Sequence, residues 1–218
     1  MQFRQVWDNP RLVTFITDFA DQAVVLPLVL AIAVALLASG WRRGAAAWVL
    51  AVIATFAVML ALKVAFLACS QSFGTTGIRT PSGHVAAAAV VTGGLAALLL
   101  RRRASILPAA TLAAIIVGTS RLVLGAHSLP EVALGAVVGL AGALVLPLLS
   151  GPPPPELGVR RIALVAVAVV LVFHGLHFPA EAHIRSTAYR LAHMLAVCQS
   201  DDVRLYTSSN RTMSSSPR

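Results

Sequence analysis

The sequence predicts an all-α, polytopic membrane protein: a helical bundle of about six transmembrane helices preceded by an N-terminal interfacial helix. The first indication is composition, because 58% of the residues are hydrophobic and only 11% are charged, whereas soluble domains carry about 25% charged residues. The second is a series of long apolar runs. The third is that arginines cluster between alternate runs, which is typical of membrane topology. This placement accounts for the formal net charge of +9, so we expect no nucleic-acid partner.

Six stretches are apolar and approach the roughly 20 residues that a bilayer-spanning helix needs. They are Gln22–Ser39, Ala45–Leu67, His84–Leu100, Ile106–Leu124, Pro130–Leu149 and Ile162–Phe178. The first also resembles a signal peptide, because its apolar run is short and ends in small residues. Since Asp8, Asp18 and Asp21 precede it, we expect a retained span. In the fifth stretch, Gly135 and Gly139 form a pattern that allows close helix packing.

The ends of the chain differ from this central part. Apolar residues within Phe3–Phe19 recur at near-helical spacing, which favours an interfacial amphipathic helix, with a flexible leader as the alternative. We therefore divide the chain into residues 1–21, the interfacial helix; 22–178, the six-span membrane domain; and 179–218, a C-terminal extension. The end of this extension is rich in Ser, Thr and Asn and is expected to be disordered. Cys69 and Cys198 are expected to be unpaired, and nothing in the sequence indicates the oligomeric state.

Charge in the connecting loops predicts the orientation. The arginine-rich loops follow spans one, three and five and contain Arg42-Arg43, Arg101-Arg102-Arg103 and Arg160-Arg161. By the positive-inside rule these loops face the cytoplasm. The other loops and both termini then face outward. We expect a protein of the bacterial inner (plasma) membrane, with its polar motifs toward the periplasm or exterior.

Five ionisable residues lie at the ends of the predicted spans on this outer face: Lys63, His84, Arg121, His127 and Glu131. Charged groups at such positions are costly to desolvate and therefore suggest a function. Two imidazoles, a carboxylate and two cations are groups suited to binding and transferring a phosphate. No carboxylate cluster is available for a metal ion, so we expect neither a metal nor another cofactor.

The segment Pro81-Ser82-Gly83-His84 opens the third span. We expect Thr80 to cap this helix, with Pro81 in its first turn. The first-turn amides and the helix dipole would form an anion site. Gly83 would allow close approach of the ligand, the Ser82 hydroxyl would add a donor, and His84 could exchange a proton. A simple helix start with an interfacial histidine is the equally weighted alternative.

The second cluster joins the fourth and fifth spans. Arg121 offers planar paired donors for phosphate oxygens. His127 and Glu131 are four residues apart, so the carboxylate could hold one ring nitrogen and leave the other free as a nucleophile. Alternatively, Ser128 and Glu131 form a helix capping box, and both interpretations can hold together. For Lys63, considered alone, the alternative is a side chain that extends to the membrane surface.

These motifs resemble those of a known family. Pro-Ser-Gly-His followed by Ser120-Arg121-x5-His127 resembles the second and third signatures of the type 2 phosphatidic acid phosphatases. This lipid phosphate phosphatase superfamily is related to vanadium haloperoxidases. Its first signature is Lys-x6-Arg-Pro; Lys63 matches the lysine, but Ser70-Gln71 replace Arg-Pro. The third signature closes with aspartate, where this chain has Glu131.

The resemblance implies roles for these residues. His127 would be the nucleophile, His84 the acid for the leaving group, and Glu131 the group that orients His127. Phosphate binding would fall to four other residues: Lys63, Ser82, Gly83 and Arg121. Arg79, in the intervening loop, is our candidate to replace the missing arginine.

The implied activity is hydrolysis of a lipid phosphate monoester or diphosphate, such as phosphatidic acid, phosphatidylglycerol phosphate or a polyprenyl diphosphate. The reaction would pass through a phosphohistidine without a metal. The expected partners are the lipid substrate and membrane lipids. One alternative is a phosphotransferase that passes phosphate to a second lipid through the same site. Another is a non-catalytic phospholipid binder or transporter, suggested by the altered first signature.

Overall fold

The structure, a computed structural model, describes residues 7, 9–69 and 78–177, together with 184, 186, 187 and 190. The helices within these ranges are α1 (Pro10–Asp18), α2 (Gln22–Ala38), α3 (Arg42–Ala68), α4 (Gly83–Leu100), α5 (Ile106–Val123), α6 (Leu129–Ser150) and α7 (Val159–Phe173). A single 3₁₀ turn, Arg103–Ser105, precedes α5. The described elements form a helical bundle, which confirms the predicted fold class.

Helix α4 lies at the centre of the bundle. It packs against α3, α5 and α6, and its residues 85–91 are all buried. Small side chains allow this close packing. A Cβ on Gly135 of α6 would overlap the Ser82 carbonyl oxygen, and one on Gly139 would overlap the Ala86 backbone. The glycine pair therefore holds α6 against the start of α4, where the predicted anion site lies.

Among the described residues, five helical segments are long and apolar enough to cross a membrane. They are Pro10–Ala38, which combines α1 and α2, and Arg42–Leu67, Gly83–Leu100, Arg103–Val123 and Leu129–Ser150. The sixth predicted span corresponds to α7, which has only 15 residues and is shorter than a perpendicular span requires. It packs along α2. Residue 178, the predicted end of this span, lies outside the described residues.

Helix α1 lies within the predicted interfacial segment, although residues 1–6 and 8 are outside the described part. It packs against α5, and the Thr17 hydroxyl donates a hydrogen bond to Ser120 Oγ at 2.8 Å. At the far end of the bundle, Arg43 Nε donates to the Leu149 carbonyl at 2.8 Å, and Arg101 binds the Pro155 carbonyl at 3.1 Å. The arginine loops therefore meet at one end, and α1 lies toward the other.

Cys69 directly follows α3 and is disulfide-bonded. The prediction of unpaired cysteines is therefore wrong for this residue, and Cys198 lies outside the described residues. The prediction failed because sequence separation says little about distance in a folded bundle. The bond lies at the end of α3 that also carries Lys63.

Candidate active site

The histidine of the α5–α6 loop is held by a carboxylate. His127 Nδ1 lies 3.0 Å from Glu131 Oε2, and the His127 side chain is only 6% exposed. Glu131 Oε2 also accepts the Ser128 amide at 3.0 Å, which completes the capping box that begins α6. Glu131 therefore makes the contact with His127 and the capping box at once. Because Nδ1 faces the carboxylate, the structure directs the other ring nitrogen, Nε2, away from Glu131.

The second oxygen of Glu131 binds the loop that precedes α4. Glu131 Oε1 accepts the backbone amides of Arg79 and Thr80, each at 2.7 Å. Arg79 therefore contributes its amide to this network, while its side chain is exposed. A phosphate contact by its guanidinium remains a prediction. One carboxylate thus connects the His127 loop to the loop of residues 78–82.

The start of α4 differs from the prediction. The helix begins at Gly83 with Ser82 as its N-cap, so Thr80 is not the cap and Pro81 does not lie in the first turn. The cause is contact with a distant residue of the chain. The Glu131 side chain accepts the Thr80 amide, and the Glu131 backbone carbonyl accepts the Ser82 amide at 3.0 Å. These bonds keep the residues before Gly83 extended.

A buried hydroxyl lies at this helix start. The Ser82 side chain is 0% exposed, and its Oγ has no hydrogen-bond partner among the residues that the structure describes. Buried polar groups are normally paired. The first amides of a helix lack partners within it and attract anions. An unpaired donor beside them indicates a site for an oxyanion.

Lys63 lies over the same turn. Its side chain is buried, with the residue 4% exposed. Its Cε and Nζ lie 3.7 and 3.9 Å from the position that a Cβ on Gly83 would occupy. The absence of a side chain at Gly83 therefore leaves room beside the ammonium. This burial favours a role at the helix start over simple extension to the membrane surface.

Arg121, near the end of α5, lies close enough to His127 to affect its protonation. Burial lowers the pKa of His127 below its ordinary value, and the positive charges of Arg121 and Lys63 lower it further. The hydrogen bond and charge of Glu131 oppose this shift without cancelling it. His127 is therefore neutral over a wider pH range than an exposed histidine, as a nucleophile requires.

His84, in the first turn of α4, lies on the wall of a polar cavity of about 330 Å³. Its Nε2 is 3.8 Å from Asp21 Oδ2, and its side chain is 28% exposed. Arg121 lines the same cavity and also acts electrostatically on His127. Arg121 thus lies next to His84 in the cavity and is also near enough to His127 for its charge to act on that ring.

Sequence reasoning missed the acidic wall of this cavity. Asp21 caps α2, accepting the Ala23 amide at 2.8 Å, while Asp18 at the end of α1 lies 2.9 Å from His177 Nε2. Both carboxylates are buried. The sequence did offer a signal for this acidic wall. Asp18 and Asp21 lie directly before the first apolar run, in a chain with only 8 acidic residues. Nearby, His174 Nε2 lies 3.1 Å from the Phe15 carbonyl oxygen.

Comparison with known proteins agrees with the motifs. Residues 64–152 match the model of the PAP2 superfamily, which confirms the resemblance to type 2 phosphatidic acid phosphatases. No curated protein and no solved structure matches the chain. The family match and the apolar helices together support a membrane phosphatase-type function. The matched segment contains His84, Arg121, His127 and Glu131, and it is this segment that is similar to the PAP2 superfamily.

Proposed function

We propose that this protein hydrolyses a lipid phosphate monoester or diphosphate at the outer face of a bacterial inner membrane, through a phosphohistidine intermediate. The observation that carries the proposal is the arrangement around Glu131. This residue holds His127 and binds the loop of residues 78–82, which leads to the helix start. At that helix start Lys63 lies beside Gly83 and the Ser82 hydroxyl is buried without a described partner.

Phosphate binding comes first. The phosphoryl oxygens lie against the first amides of α4 and accept from the Ser82 hydroxyl. Lys63 and Arg121 neutralise their charge, together with the positive end of the α4 dipole. Phosphoryl transfer depends mainly on positioning and charge stabilisation, so these donors account for most of the catalytic effect.

Bond exchange follows in two steps. His127 Nε2 attacks phosphorus as the bond to the leaving oxygen breaks, and His84 gives that oxygen its proton. The product is a phosphohistidine and a free alcohol or a phosphorylated lipid. The now neutral His84 then takes a proton from water, whose oxygen attacks phosphorus. The N–P bond breaks, inorganic phosphate leaves, and both histidines return to their starting states.

Two observations support the outward orientation. The arginine loops meet at the end of the bundle opposite the site, which the positive-inside rule assigns to the cytoplasm. Cys69 is disulfide-bonded at the site end of α3. Disulfides persist in oxidising compartments such as the bacterial periplasm. The argument from the disulfide is independent of the argument from charge.

The proposed activity is tested with detergent-purified protein and a panel of phosphatidic acid, phosphatidylglycerol phosphate and a polyprenyl diphosphate. We expect inorganic phosphate from at least one lipid, and inhibition by vanadate, which adopts the trigonal-bipyramidal geometry of the transferring phosphorus. If label passes instead to an added acceptor lipid, the protein is a phosphotransferase. Binding of head groups without any phosphate release over the pH range tested would indicate a binder or transporter.

The His84 assignment predicts a dependence on the leaving group. In a single turnover, His84→Ala should slow cleavage of a lipid phosphate ester by about 10²-fold or more, the usual contribution of a general acid. It should slow the single-turnover release of p-nitrophenol from p-nitrophenyl phosphate far less, because nitrophenolate leaves without protonation. Later turnovers of both substrates should be slowed alike, because His84 also activates the water. Asp21 faces His84 and is proposed to position it. Asp21→Asn should therefore show the same selectivity with a smaller effect, while retaining the α2 cap.

Asp18→Asn is the matched control, since Asp18 lines the same cavity but pairs with His177. It should leave the ratio of the two rates unchanged. If His84→Ala slowed the single-turnover cleavage of both substrates equally, His84 would not be the leaving-group acid. Equal slowing by Asp21→Asn would reduce Asp21 to a structural role.

A further inference from the structure

A separate cavity lies at the arginine end of the bundle, opposite the candidate active site. It has a volume of about 130 Å³ and lies between the ends of α4 and α6 and the start of α5. Three consecutive arginines line it, Arg101, Arg102 and Arg103. Among the residues that the structure describes, no acidic side chain lines it. The cavity therefore has a positive electrostatic potential, and we call it the basic cavity.

The three arginines of the basic cavity are bound differently. The Arg101 guanidinium donates hydrogen bonds to the carbonyls of Pro154 and Pro155. It thereby holds the α6–α7 loop, the first residues of which form one wall of the cavity. The guanidinium groups of Arg102 and Arg103 make no hydrogen bond or ion pair with any residue that the structure describes. Two unpaired cations therefore lie at a concave surface.

Two simpler explanations do not account for these unpaired arginines. The positive-inside rule places arginines at this end, but Arg160 and Arg161 do so from exposed positions that do not line the cavity. An arginine near a helix C-terminus can bind the free carbonyls there, and Arg43 binds Leu149 in this way. The two unpaired arginines bind no carbonyl of the described part of the chain. They are therefore available to an anion in the cavity.

The basic cavity lies at the depth of lipid head groups. Three segments that are apolar enough to cross a membrane end around it, at Leu100, Arg103 and Ser150. The surface beside it is apolar, since Leu100 is 59% exposed and Leu148 is 70% exposed. Trp41, a residue type typical of the membrane–water boundary, also lines the cavity. A ligand here meets guanidinium groups in the cavity and apolar surface on the adjoining helices.

We propose that the basic cavity binds the phosphate of an anionic phospholipid, in the leaflet opposite the active site. Guanidinium groups bind phosphate oxygens through paired N–H donors. Basic pockets between transmembrane helices are suited to such head groups. The proposal does not rest on the proposed phosphatase activity, because it concerns the other end of the bundle.

The size of the cavity favours a lipid head group over a larger soluble anion. A single water needs about 10–15 Å³ of such volume, so the basic cavity has room for a phosphate group. Sites for complete drug-sized ligands start near 300 Å³, so the rest of the ligand lies outside. The acyl chains of a phospholipid would cover the exposed leucines beside the cavity, whereas a free phosphate ion would leave them bare.

The experiment measures lipid binding to the purified protein by native mass spectrometry across a titration of dioleoyl phosphatidylglycerol. Arg102→Gln/Arg103→Gln should weaken binding about tenfold or more, since each arginine near an anionic lipid contributes about fivefold. The matched control, Arg160→Gln/Arg161→Gln, removes the same charge from the same end and leaves the cavity intact. It should weaken binding by less than about threefold. Dioleoyl phosphatidylcholine should bind the wild-type protein more weakly, because the arginines repel its choline cation.

The outcomes separate a site from general attraction. Equal weakening by the two double variants would show that only net charge acts, and equal binding of the two lipids would exclude an anionic head group; either result overturns the proposal. Glycerol 3-phosphate distinguishes the sources of phosphate. If it displaces phosphatidylglycerol at equal concentration, and this effect is lost in Arg102→Gln/Arg103→Gln, the ligand is a free phosphate and not a lipid.

A second measurement needs no variant and decides the matter if the double variant fails to fold. Phosphatidylglycerol with a diazirine on its head group should label wild-type peptides that contain residues 101–106 or 150–153. Label confined to other peptides overturns the proposal. Neither measurement depends on phosphate release, so failure of the proposed function and failure of this site are distinguishable.

Discussion

His127→Ala should abolish phosphate release from every substrate, including p-nitrophenyl phosphate. The reason is that no other group is placed to form the covalent intermediate in the proposed mechanism. Loss of a nucleophile in a triad lowers the rate by at least about 10³-fold. The measurement is inorganic phosphate released per minute by purified protein. The fold should survive, because removing the ring frees one hydrogen bond of a carboxylate that keeps three backbone partners.

The intermediate itself gives a second readout. Brief incubation with a labelled substrate should leave acid-labile, base-stable phosphate on the wild-type protein and none on His127→Ala. His84→Ala should accumulate the label from p-nitrophenyl phosphate, because water activation is lost while attack by His127 continues. His174→Ala is the control histidine, since it contacts Phe15 away from the polar cavity. Undiminished phosphate release by His127→Ala would eliminate the assigned nucleophile.

Glu131→Gln should lower kcat by about 10³-fold or more, comparable with loss of the orienting carboxylate in a triad. Four donors now meet the two oxygens of Glu131: three backbone amides and the His127 ring. A glutamine has one oxygen, and its amide group would face donors. Each buried group left unpaired costs about 1–3 kcal/mol. The melting temperature should therefore fall as well, and further in Glu131→Ala.

The same substitution has a pH signature. The Glu131 charge and hydrogen bond raise the pKa of His127, against the larger lowering by burial. Without them, the pKa of His127 falls further. Because the nucleophile must be neutral, and it is neutral above its pKa, the acidic limb of kcat/KM should move to lower pH. A limb that moved to higher pH, or an unchanged limb with unchanged stability, would show that the carboxylate does not act on His127.

The hydropathy of the sequence was sufficient to predict the central helices. The predicted spans Ala45–Leu67, His84–Leu100, Ile106–Leu124 and Pro130–Leu149 correspond closely to α3, α4, α5 and α6. Arginines, prolines and polar loops interrupt these apolar runs, so their ends are visible in the sequence. The i,i+4 spacing of His127 and Glu131 was equally informative, because both partners belong to one short segment.

Contacts between distant segments could not be predicted in this way. Asp21 meets His84 because α2, which Asp21 caps, contacts α4 across the bundle. The hydrogen bond between Glu131 and the Thr80 amide explains why α4 begins later than predicted. Hydropathy records neither event, because each depends on the relative placement of two helices. The disulfide of Cys69 was missed for the same reason.

The unpaired hydroxyl of Ser82 has a consequence for the protein without a ligand. A donor buried without a partner costs about 1–3 kcal/mol, and among the described residues none relieves that cost. An oxyanion that accepts from Ser82 removes it. Inorganic phosphate, the product of the proposed reaction, carries the same kind of oxygens as the substrate's phosphoryl group. In the proposed reaction, phosphate should therefore dissociate slowly. Turnover then depends on how quickly phosphate release restores the empty and less stable state.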